Sequence, residues 1–299
     1  MSKNFRVNSY LTLAMLFWGL GTVLTKSALN NFDSLTLLPI QLASSSIFLG
    51  LLLFFLREKE LSVSSRGSYL KLALLGVLNP GIAYALGLSG LAQIPASISV
   101  VIWATEPLLI TVLAYLFIRG TVKRETILAI FLATSGVLLI IGKPSGQSEI
   151  FGILLTFLSV GACAGYSILL SLMKLKDGSL FIVFIQQLIA LIFALFLMFV
   201  KFVHSGLPPM NISEWRIFEA AVAGIAYYGI AFWLYVSGLR RTSALKAGTF
   251  LTLIPVFGLF FSVLLLKEHI NQRQILGSLI VIAAVVSLSL YERRGRTSD

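Results

Sequence analysis

Apolar runs of about 20 residues recur from one end of this 299-residue chain to the other, separated by short polar spacers. A run of that length spans the hydrocarbon core of a bilayer when it forms an α-helix. Hydrophobic residues make up 58% of the sequence and charged residues 12%, about half of the charged fraction of an ordinary globular domain. We therefore predict an all-α integral membrane protein, whose main partner is the lipid bilayer and which has no soluble domain.

Apolar windows and their flanking polar residues predict ten transmembrane helices. No A-x-A cleavage pattern interrupts the first run, so we predict a retained helix there rather than a signal peptide. The spans lie at about 9–29, 35–56, 69–88, 97–118, 124–142, 150–172, 179–202, 216–237, 245–266 and 272–291.

The net charge of +11 comes mainly from Lys and Arg in the spacers between these runs. The spacers and ends on one side of the predicted membrane hold 15 Lys and Arg, and those on the other side hold 5. Because Lys/Arg-rich loops stay in the cytoplasm, we predict a multi-pass protein of the inner (plasma) membrane with both termini cytoplasmic. The charge is therefore a topology signal, and we predict no nucleic-acid partner.

The two halves of the sequence match each other at a constant offset of 148 residues over about 65 positions without a gap. GIAYALGLSGL at 81–91 aligns with GIAFWLYVSGL at 229–239, and Pro107 aligns with Pro255. Each half contains five predicted helices, an odd number, so the second half must enter the membrane from the opposite side. We predict two inverted five-helix repeats, residues 1–146 and 147–299, an architecture typical of secondary transporters.

Three segments resemble the ten-helix drug/metabolite transporter superfamily and, within it, the EamA-type permeases. The segments are FWG at Phe17–Gly19 with Lys26 further along the helix, TEPLL at Thr105–Leu109, and LLLKEHINQRQILGSLIVIAAV at Leu264–Val285. In the first half, Arg119-Gly120 stands where the second half has Lys267-Glu268, so any role of that glutamate falls to Glu268. The resemblance implies export of small organic metabolites, above all amino acids or related compounds.

Two alternatives remain at this point: a multidrug or quaternary-ammonium efflux carrier, and a non-transporting membrane scaffold or lipid-binding protein. The sequence contains no P-loop, HExxH, GxSxG or dinucleotide fingerprint, so we predict no enzyme activity, no cofactor and no metal site. Transport would then proceed by alternating access, either coupled to protons or as facilitated exchange. We predict a monomer or a homodimer. We predict a central cavity lined by the first, third, fourth, sixth, eighth and ninth helices.

Glu106 lies near the middle of the fourth predicted helix, where a charged side chain costs at least about 2.5–3.5 kcal/mol. Two interpretations stay open: Glu106 belongs to a substrate or proton-coupling site, or it is a neutral carboxyl that satisfies polar groups at a structural kink. The kink is predicted because Pro107 cannot donate a backbone hydrogen bond, and Pro255 predicts the equivalent kink in the ninth helix.

Other polar and aromatic residues inside the predicted helices are candidates for substrate binding. Ser99 and Trp103 share one helical face with Glu106, and each candidate has packing as its alternative role. The remaining candidates are Asn79 and its repeat equivalent Tyr227, followed by Tyr228, Trp18 and Tyr166.

Five further residues within the apolar runs receive structural predictions. Lys26 is expected to extend toward the lipid headgroups, and Cys163, the single cysteine, is expected to be a small packing residue. Three glutamines, Gln41, Gln186 and Gln187, are expected to join helices by hydrogen bonds.

Overall fold

The computed structural model describes residues 3–56, 66–118, 124–141, 146–173, 178–206, 213–242, 244–251 and 253–295. Helices occupy almost all of these residues, and no strand occurs among them. The helices are α1 (Lys3–Ala28), α2 (Ser34–Leu56), α3 (Arg66–Gly76, Val77–Ile82 and Ala83–Leu91), α4 (Ala96–Trp103 and Glu106–Ile118), α5 (Arg124–Ile141), α6 (Gln147–Leu172), α7 (Ser179–Ser205), α8 (Glu214–Gly224, Ile225–Ala231 and Phe232–Leu239), α9 (Ala244–Leu251 and Leu253–Leu266) and α10 (Gln272–Gly295).

The ten helices coincide with the ten predicted spans. The largest difference is at α1, which begins at Lys3 rather than near Ser9, because a membrane helix can continue past the hydrocarbon core into the polar headgroup region. Within the described residues, seven helices are long and apolar enough to cross a bilayer, and shorter apolar helices lie in α5, α9 and α10. The predicted all-α ten-helix membrane fold is confirmed.

Large apolar side chains cover the outside of the bundle. Phe54, Phe131 and Ile192 expose 76%, 69% and 64% of their surface, and many other Leu, Ile and Phe side chains are exposed in the same way. A water-facing protein rarely exposes apolar patches of this extent. The exterior is therefore suited to contact with lipid tails.

The main helix contacts occur in pairs that are related by the repeat. Helix α1 packs on α8 and α9, and in the same way α6 packs on α3 and α4. Helix α2 packs on α7 and α8, α7 packs on α2 and α3, and α4–α9 and α5–α10 pack as equivalent partners. The pattern stays the same when each of α1 to α5 is exchanged with its equivalent among α6 to α10. An approximate twofold axis therefore relates the two halves.

Two equivalent glycines lie where helices of different repeats come close together. A Cβ on Gly76 would lie 3.0 Å from the Cα of Gln186 in α7, and a Cβ on Gly224 would lie 2.6 Å from the Cα of Gln41 in α2. Small residues allow this approach of helix backbones in lipid. Gly76 and Gly224 are 148 residues apart, as the sequence match predicts, whereas Gln41 and Gln186 are 145 apart.

A second pair of glycines gives the same relation for α1 and α6. Gly90 of α3 packs on Thr156 of α6, and Gly238 of α8 packs on Leu11 of α1. Leu11 and Thr156 are again 145 residues apart. Equivalent residues are therefore separated by 148 in the last three helices of each repeat and by 145 in the first two, which the gapless match did not detect.

An even number of passes places the start of α1 and the end of α10 on one side of the bundle, called here the terminal face. The spacer between α1 and α2, and every second spacer after it, lies on the opposite face. Polar contacts agree with this arrangement. Asp33, before α2, forms an ion pair with Lys201 near the end of α7, and Ser148 of α6 donates a hydrogen bond to Gln93 between α3 and α4 at 2.8 Å.

Asp33 also caps the N-terminus of α2. Its Oδ1 accepts hydrogen bonds from the backbone N–H groups of Leu35 and Thr36, both at 3.1 Å. Partial burial raises the pKa of Asp33, but hydrogen bonds from Lys201 and Thr36 outweigh it, so the pKa lies below its ordinary value. This cap therefore contributes stability above the ordinary carboxyl pKa, and the contribution is lost as the pH falls through the lowered value.

Buried glutamines join helices by hydrogen bonds, as predicted. The Gln41 amide donates to the Thr25 hydroxyl at 3.0 Å, which joins α2 to α1. The Gln187 amide donates to the carbonyl of Tyr228 at 3.0 Å and accepts from the Ser45 hydroxyl at 3.0 Å. Gln187 therefore connects α7 with α8 and with α2.

The spacers at 57–65, 119–123 and 174–177 lie outside the described residues. They carry much of the Lys and Arg on which the predicted orientation depends, and one of them contains Arg119 and Gly120. The assignment of the terminal face to the cytoplasm therefore stays a prediction.

Candidate functional site

A cavity lies at the centre of the bundle, between the two repeats. Its walls come from α1, α3, α4, α6, α8 and α9, the six helices predicted from the sequence. Trp103 and Tyr235 line it together with five pairs of repeat-equivalent residues. The pairs are Trp18 and Cys163, Thr22 and Ser167, Asn79 and Tyr227, Tyr84 and Phe232, and Glu106 and Ile254. The cavity therefore straddles the approximate twofold axis.

Five of the predicted site residues are brought together in this central cavity: Trp18, Asn79, Trp103, Glu106 and Tyr227. They come from four different helices and are up to 209 positions apart in sequence.

A smaller cavity continues from the central one toward the opposite face. Of the predicted site residues, Trp103 and Tyr227 line both cavities. Ser99 and Tyr228 line the smaller cavity and not the central one. Leu91, at the end of α3, lies at its far side. The two cavities therefore form a path from the centre of the bundle toward the spacer between α3 and α4.

The structure places Tyr166 outside both cavities. Its side chain is fully buried, its hydroxyl donates to the Oε1 of Gln186 at 2.8 Å, and its ring lies 5.7 Å from the ring of Phe232. Because Phe232 lines the cavity, Tyr166 supports the wall from behind and has no surface toward a solute.

The two halves of the cavity wall contain equivalent irregular helix turns. Helix α3 has a wide π-type turn over Val77–Ile82, with extended backbone at Asn79 (φ −147°, ψ 118°). Helix α8 has the equivalent turn over Ile225–Ala231, which contains Tyr227. Such turns occur frequently at functional sites, because they leave backbone groups outside the regular hydrogen-bond ladder. Here they place Asn79 and Tyr227 against the cavity.

Helix α4 is interrupted at Ala104 and Thr105, just before Pro107. The Thr105 hydroxyl donates to the carbonyl of Ile102 at 2.7 Å, which also accepts from the Thr105 backbone N–H at 3.0 Å. The second helical segment then begins at Glu106. In α9, residue 252 lies outside the described residues, and Pro255, the equivalent of Pro107, belongs to the segment Leu253–Leu266.

Glu106 is 4% exposed and faces neutral polar groups. The Ser167 side chain is close to its carboxyl, and the Tyr235 hydroxyl lies 3.1 Å from the Ser167 hydroxyl. Tyr84 and Cys163 are close enough for electrostatic interaction with Glu106. Among the described residues, no Lys, Arg or His lines the cavity, so the carboxyl has no fixed cation beside it.

Aromatic rings form the rest of the wall, with Tyr84 at their centre. The ring of Tyr84 lies 4.7 Å from Tyr228, 5.4 Å from Tyr227, 6.4 Å from Phe232 and 6.5 Å from Trp103, measured between ring centroids. Contacts at these distances and tilts are favourable between aromatic side chains. Aromatic side chains therefore make up much of the wall.

A pair of opposite charges holds the spacer between α3 and α4 at the opposite face. The Lys26 ammonium donates to the carbonyl of Leu91 at 2.8 Å, so it does not extend to the headgroups as predicted. The Glu268 carboxylate accepts from the backbone N–H groups of Ala96 at 2.8 Å and Ser97 at 3.0 Å. A cation thus lies at the C-terminus of α3 and an anion at the N-terminus of α4, the favourable orientation for both helix dipoles.

Comparison with known proteins identifies the family. The sequence profile of the EamA-like transporter family matches residues 6–142 and, a second time, residues 150–290. The chain belongs to the EamA-like transporter family. Each of the two matches includes one set of five helices.

Proteins similar to this EamA-like chain include transporters from archaea and bacteria. An uncharacterized transporter of Methanothermobacter thermautotrophicus is 24% identical over 95% of this chain and 86% of its own length. Another, from Archaeoglobus fulgidus, is 22% identical over 92% of this chain and 95% of its own. The protein PecM of Dickeya dadantii is 22% identical over 75% of this chain and 76% of its own. This chain is accordingly a membrane transporter.

A protein of known crystal structure has the same fold as this EamA-like transporter. The two superimpose with a TM-score of 0.70 over 98% of this chain and 99% of the other, at 14% sequence identity. At this level of identity the likeness shows the fold and nothing about the solute.

Several cavity residues of the EamA-like transporter were not predicted from its sequence. Tyr84 and Phe232 are equivalent at the offset of 148 and stand in the matched segments at 81–91 and 229–239, so pairing aromatic positions along that match would have found them. Thr22 and Ser167 are equivalent only at the offset of 145. Cys163, predicted to be a packing residue, lies in the cavity wall.

Proposed function

We propose that this EamA-like transporter is a secondary carrier that exports small organic metabolites, amino acids or related compounds, by alternating access through the central cavity. The observation that carries the proposal is the cavity's position on the approximate twofold axis, with five pairs of equivalent residues in its wall. In inverted-repeat carriers the solute binds at the repeat interface, and the repeats move around it to open each side in turn. Residues 1–146 and 147–299 are the two units that move.

Irregular helix turns give the repeats places to bend. The turns in α3 and α8 lie at equivalent positions beside the cavity, and the break in α4 lies at the start of its second segment. A few residues that leave the regular hydrogen-bond ladder can absorb the backbone changes of a hinge. These turns support an exchange of conformations between the repeats.

Lys26 and Glu268, which bind backbone groups at the two ends of the α3–α4 spacer, are called here the clamp. The clamp supports a closed gate at the opposite face. Glu268 belongs to the second repeat and holds the N-terminus of α4, and Lys26 belongs to α1 and holds the C-terminus of α3. The path from the cavity toward this face passes Leu91, the residue that Lys26 binds. Opening the path moves the α3–α4 spacer and breaks these hydrogen bonds.

A specific observation also favours the second candidate, efflux of quaternary-ammonium or other drug-like cations. The cavity wall combines one carboxyl, Glu106, with several aromatic rings, and aromatic faces attract cations. Competition by tetraalkylammonium ions against a transported amine or amino acid distinguishes this candidate. Strong competition, together with uptake of the tetraalkylammonium ion, would favour it over metabolite export.

We expect the terminal face to lie in the cytoplasm, in an inner membrane. Reporter fusions at the C-terminus and in the spacer at 57–65 should both show a cytoplasmic location, because these regions belong to the Lys/Arg-rich side. The spacer between α1 and α2 near Asp33 serves as the control and should report the external side. An external C-terminus would contradict the ten-span orientation.

Purified protein in liposomes tests the proposed function, with Trp103→Ala as the variant. Trp103 lines both cavities, so losing its ring should reduce uptake efficiency about tenfold or more through lost aromatic contact with the solute. Uptake of radiolabelled amino acids and amines is the measurement, with size-exclusion profiles and thermal unfolding as the check of folding.

The matched control for this variant is Trp215→Ala. Trp215 is 64% exposed at the start of α8, and it lines neither cavity. Its replacement should leave uptake unchanged. If Trp103→Ala and Trp215→Ala retain the same uptake kinetics, Trp103 is a packing residue and the site assignment fails.

A further inference from the structure

Two buried polar atoms in the cavity wall have no hydrogen-bond partner in the described part of the chain. They are the indole Nε1 of Trp18 and the amide Oδ1 of Asn79, in side chains that are 8% and 3% exposed. Most buried polar atoms in proteins are hydrogen-bonded, so an unpaired one calls for an explanation. The two atoms have almost no accessible surface themselves, but their side chains line the central cavity, so a solute bound there is the partner that a small movement of the wall would supply.

The chemistry of these atoms defines the groups that a solute must present. Asn79 Oδ1 and the Glu106 carboxyl oxygens accept hydrogen bonds, and Trp18 Nε1 only donates. A primary ammonium carries three N–H bonds and can satisfy Glu106 and Asn79 together, whereas a quaternary ammonium has none. The Trp18 N–H requires an acceptor on the same solute.

The charge of the wall opposes a second carboxylate. Glu106 is the only carboxyl among the described residues that line the cavity, and no Lys, Arg or His lies among them. The carboxylate of a free amino acid would therefore enter a buried space beside Glu106 with neutral donors alone. A buried charge is tolerated when it is paired with an opposite charge, so a neutral acceptor such as an amide, ester or hydroxyl fits better.

The remaining wall favours an apolar or aromatic body on the solute. Tyr84, Trp103, Tyr227 and Phe232 line the space, as do Trp18 and Tyr235, whose rings lie 4.9 Å apart and are tilted by 54°. Aromatic faces of this kind bind flat apolar groups and also attract an ammonium.

We propose that the cavity selects monocationic primary amines that carry a neutral hydrogen-bond acceptor and an apolar body, such as amino-acid amides, esters and amino alcohols, over free amino acids. This rests on the proposed function, since it names the solute class of the same site. Trp18 and Asn79 are then specificity-determining residues, and Glu106 is the counter-charge of the ammonium.

The test uses a matched set of probes on the full-length protein: phenylalaninamide, phenylalaninol, phenylalanine and N,N,N-trimethylphenethylammonium. Binding is measured as the ligand-induced shift in thermal unfolding in detergent, and transport as uptake or counterflow in liposomes. We expect the amide and the alcohol to bind about tenfold or more tightly than phenylalanine and than the trimethylated amine. Asn79→Leu should reduce the preference for the primary over the trimethylated amine.

The outcomes separate this inference from the proposed function. Binding of the amide without transport of any probe would support the recognition and overturn the carrier. Transport with phenylalanine preferred over its amide would support the carrier and overturn the selectivity, as would equal binding of the primary and trimethylated amines. If Asn79→Leu does not fold, the wild-type order of binding still decides.

Discussion

Replacing Glu106 with glutamine is expected to weaken the affinity for amines, to preserve solute exchange at saturating solute and to abolish accumulation driven by a pH gradient. Glutamine has nearly the same shape and keeps hydrogen-bonding capacity, but it has no proton to bind and release. Glu106 is the carboxyl in the described cavity wall, so a proton carried with the alternation of the repeats would be carried there. The measurement is solute flux in liposomes with and without an imposed pH gradient.

The matched control is Glu214→Gln, at an exposed position at the start of α8. It should retain the gradient dependence of the wild type. If Glu106→Gln and wild type depend equally on the gradient, Glu106 satisfies polar groups at the α4 break and does not couple transport to protons. Loss of both exchange and accumulation, in a folded protein, would instead assign Glu106 to solute binding alone.

Removing the Glu268 carboxylate is expected to open the path toward the opposite face. Glu268→Ala deletes two hydrogen bonds between a carboxylate and the N-terminus of α4. Hydrogen bonds to charged groups contribute about 1.5–3 kcal/mol each, and about 1.4 kcal/mol changes a population tenfold. The fraction of molecules open at this face should therefore rise about tenfold or more, and Glu268→Gln should lie between Ala and wild type.

The native Cys163 reports this opening, because it is the single cysteine of the chain and lines the central cavity. A membrane-impermeant thiol reagent applied from the external side should label Cys163 faster in Glu268→Ala than in wild type. Cys163→Ser gives the background, and Glu214→Ala on the same face is the matched control. Labelling from that side at an unchanged or slower rate would show that the clamp does not hold the gate.

Hydrophobic length and helix number were available from the sequence because the bilayer imposes them on each segment separately. A span needs about 20 apolar residues whatever surrounds it, so α2 at Ser34–Leu56 lies within a residue of its prediction. Glu106 and Trp103 were also evident, since a charge or an indole in the middle of an apolar run is visible without any tertiary information.

The cavity itself depended on how helices from different repeats pack. Trp18 and Cys163 are equivalent only at the offset of 145. That offset follows from two equivalent contacts between helices, in which Gly76 packs on Gln186 and Gly224 packs on Gln41. Insertions between helices change spacing along the chain but not the contacts across the bundle, so a gapless match cannot follow them.

Individual side-chain partners also came from packing rather than from the local sequence. Lys26 looked like a residue that extends to the headgroups, because its own helix offers no partner. The acceptor is the carbonyl of Leu91, 65 positions away at the end of α3, and Glu268 finds its donors 172 and 171 positions away at the start of α4. Long side chains at helix ends choose among many nearby backbone groups, and the choice is made only when the helices are assembled.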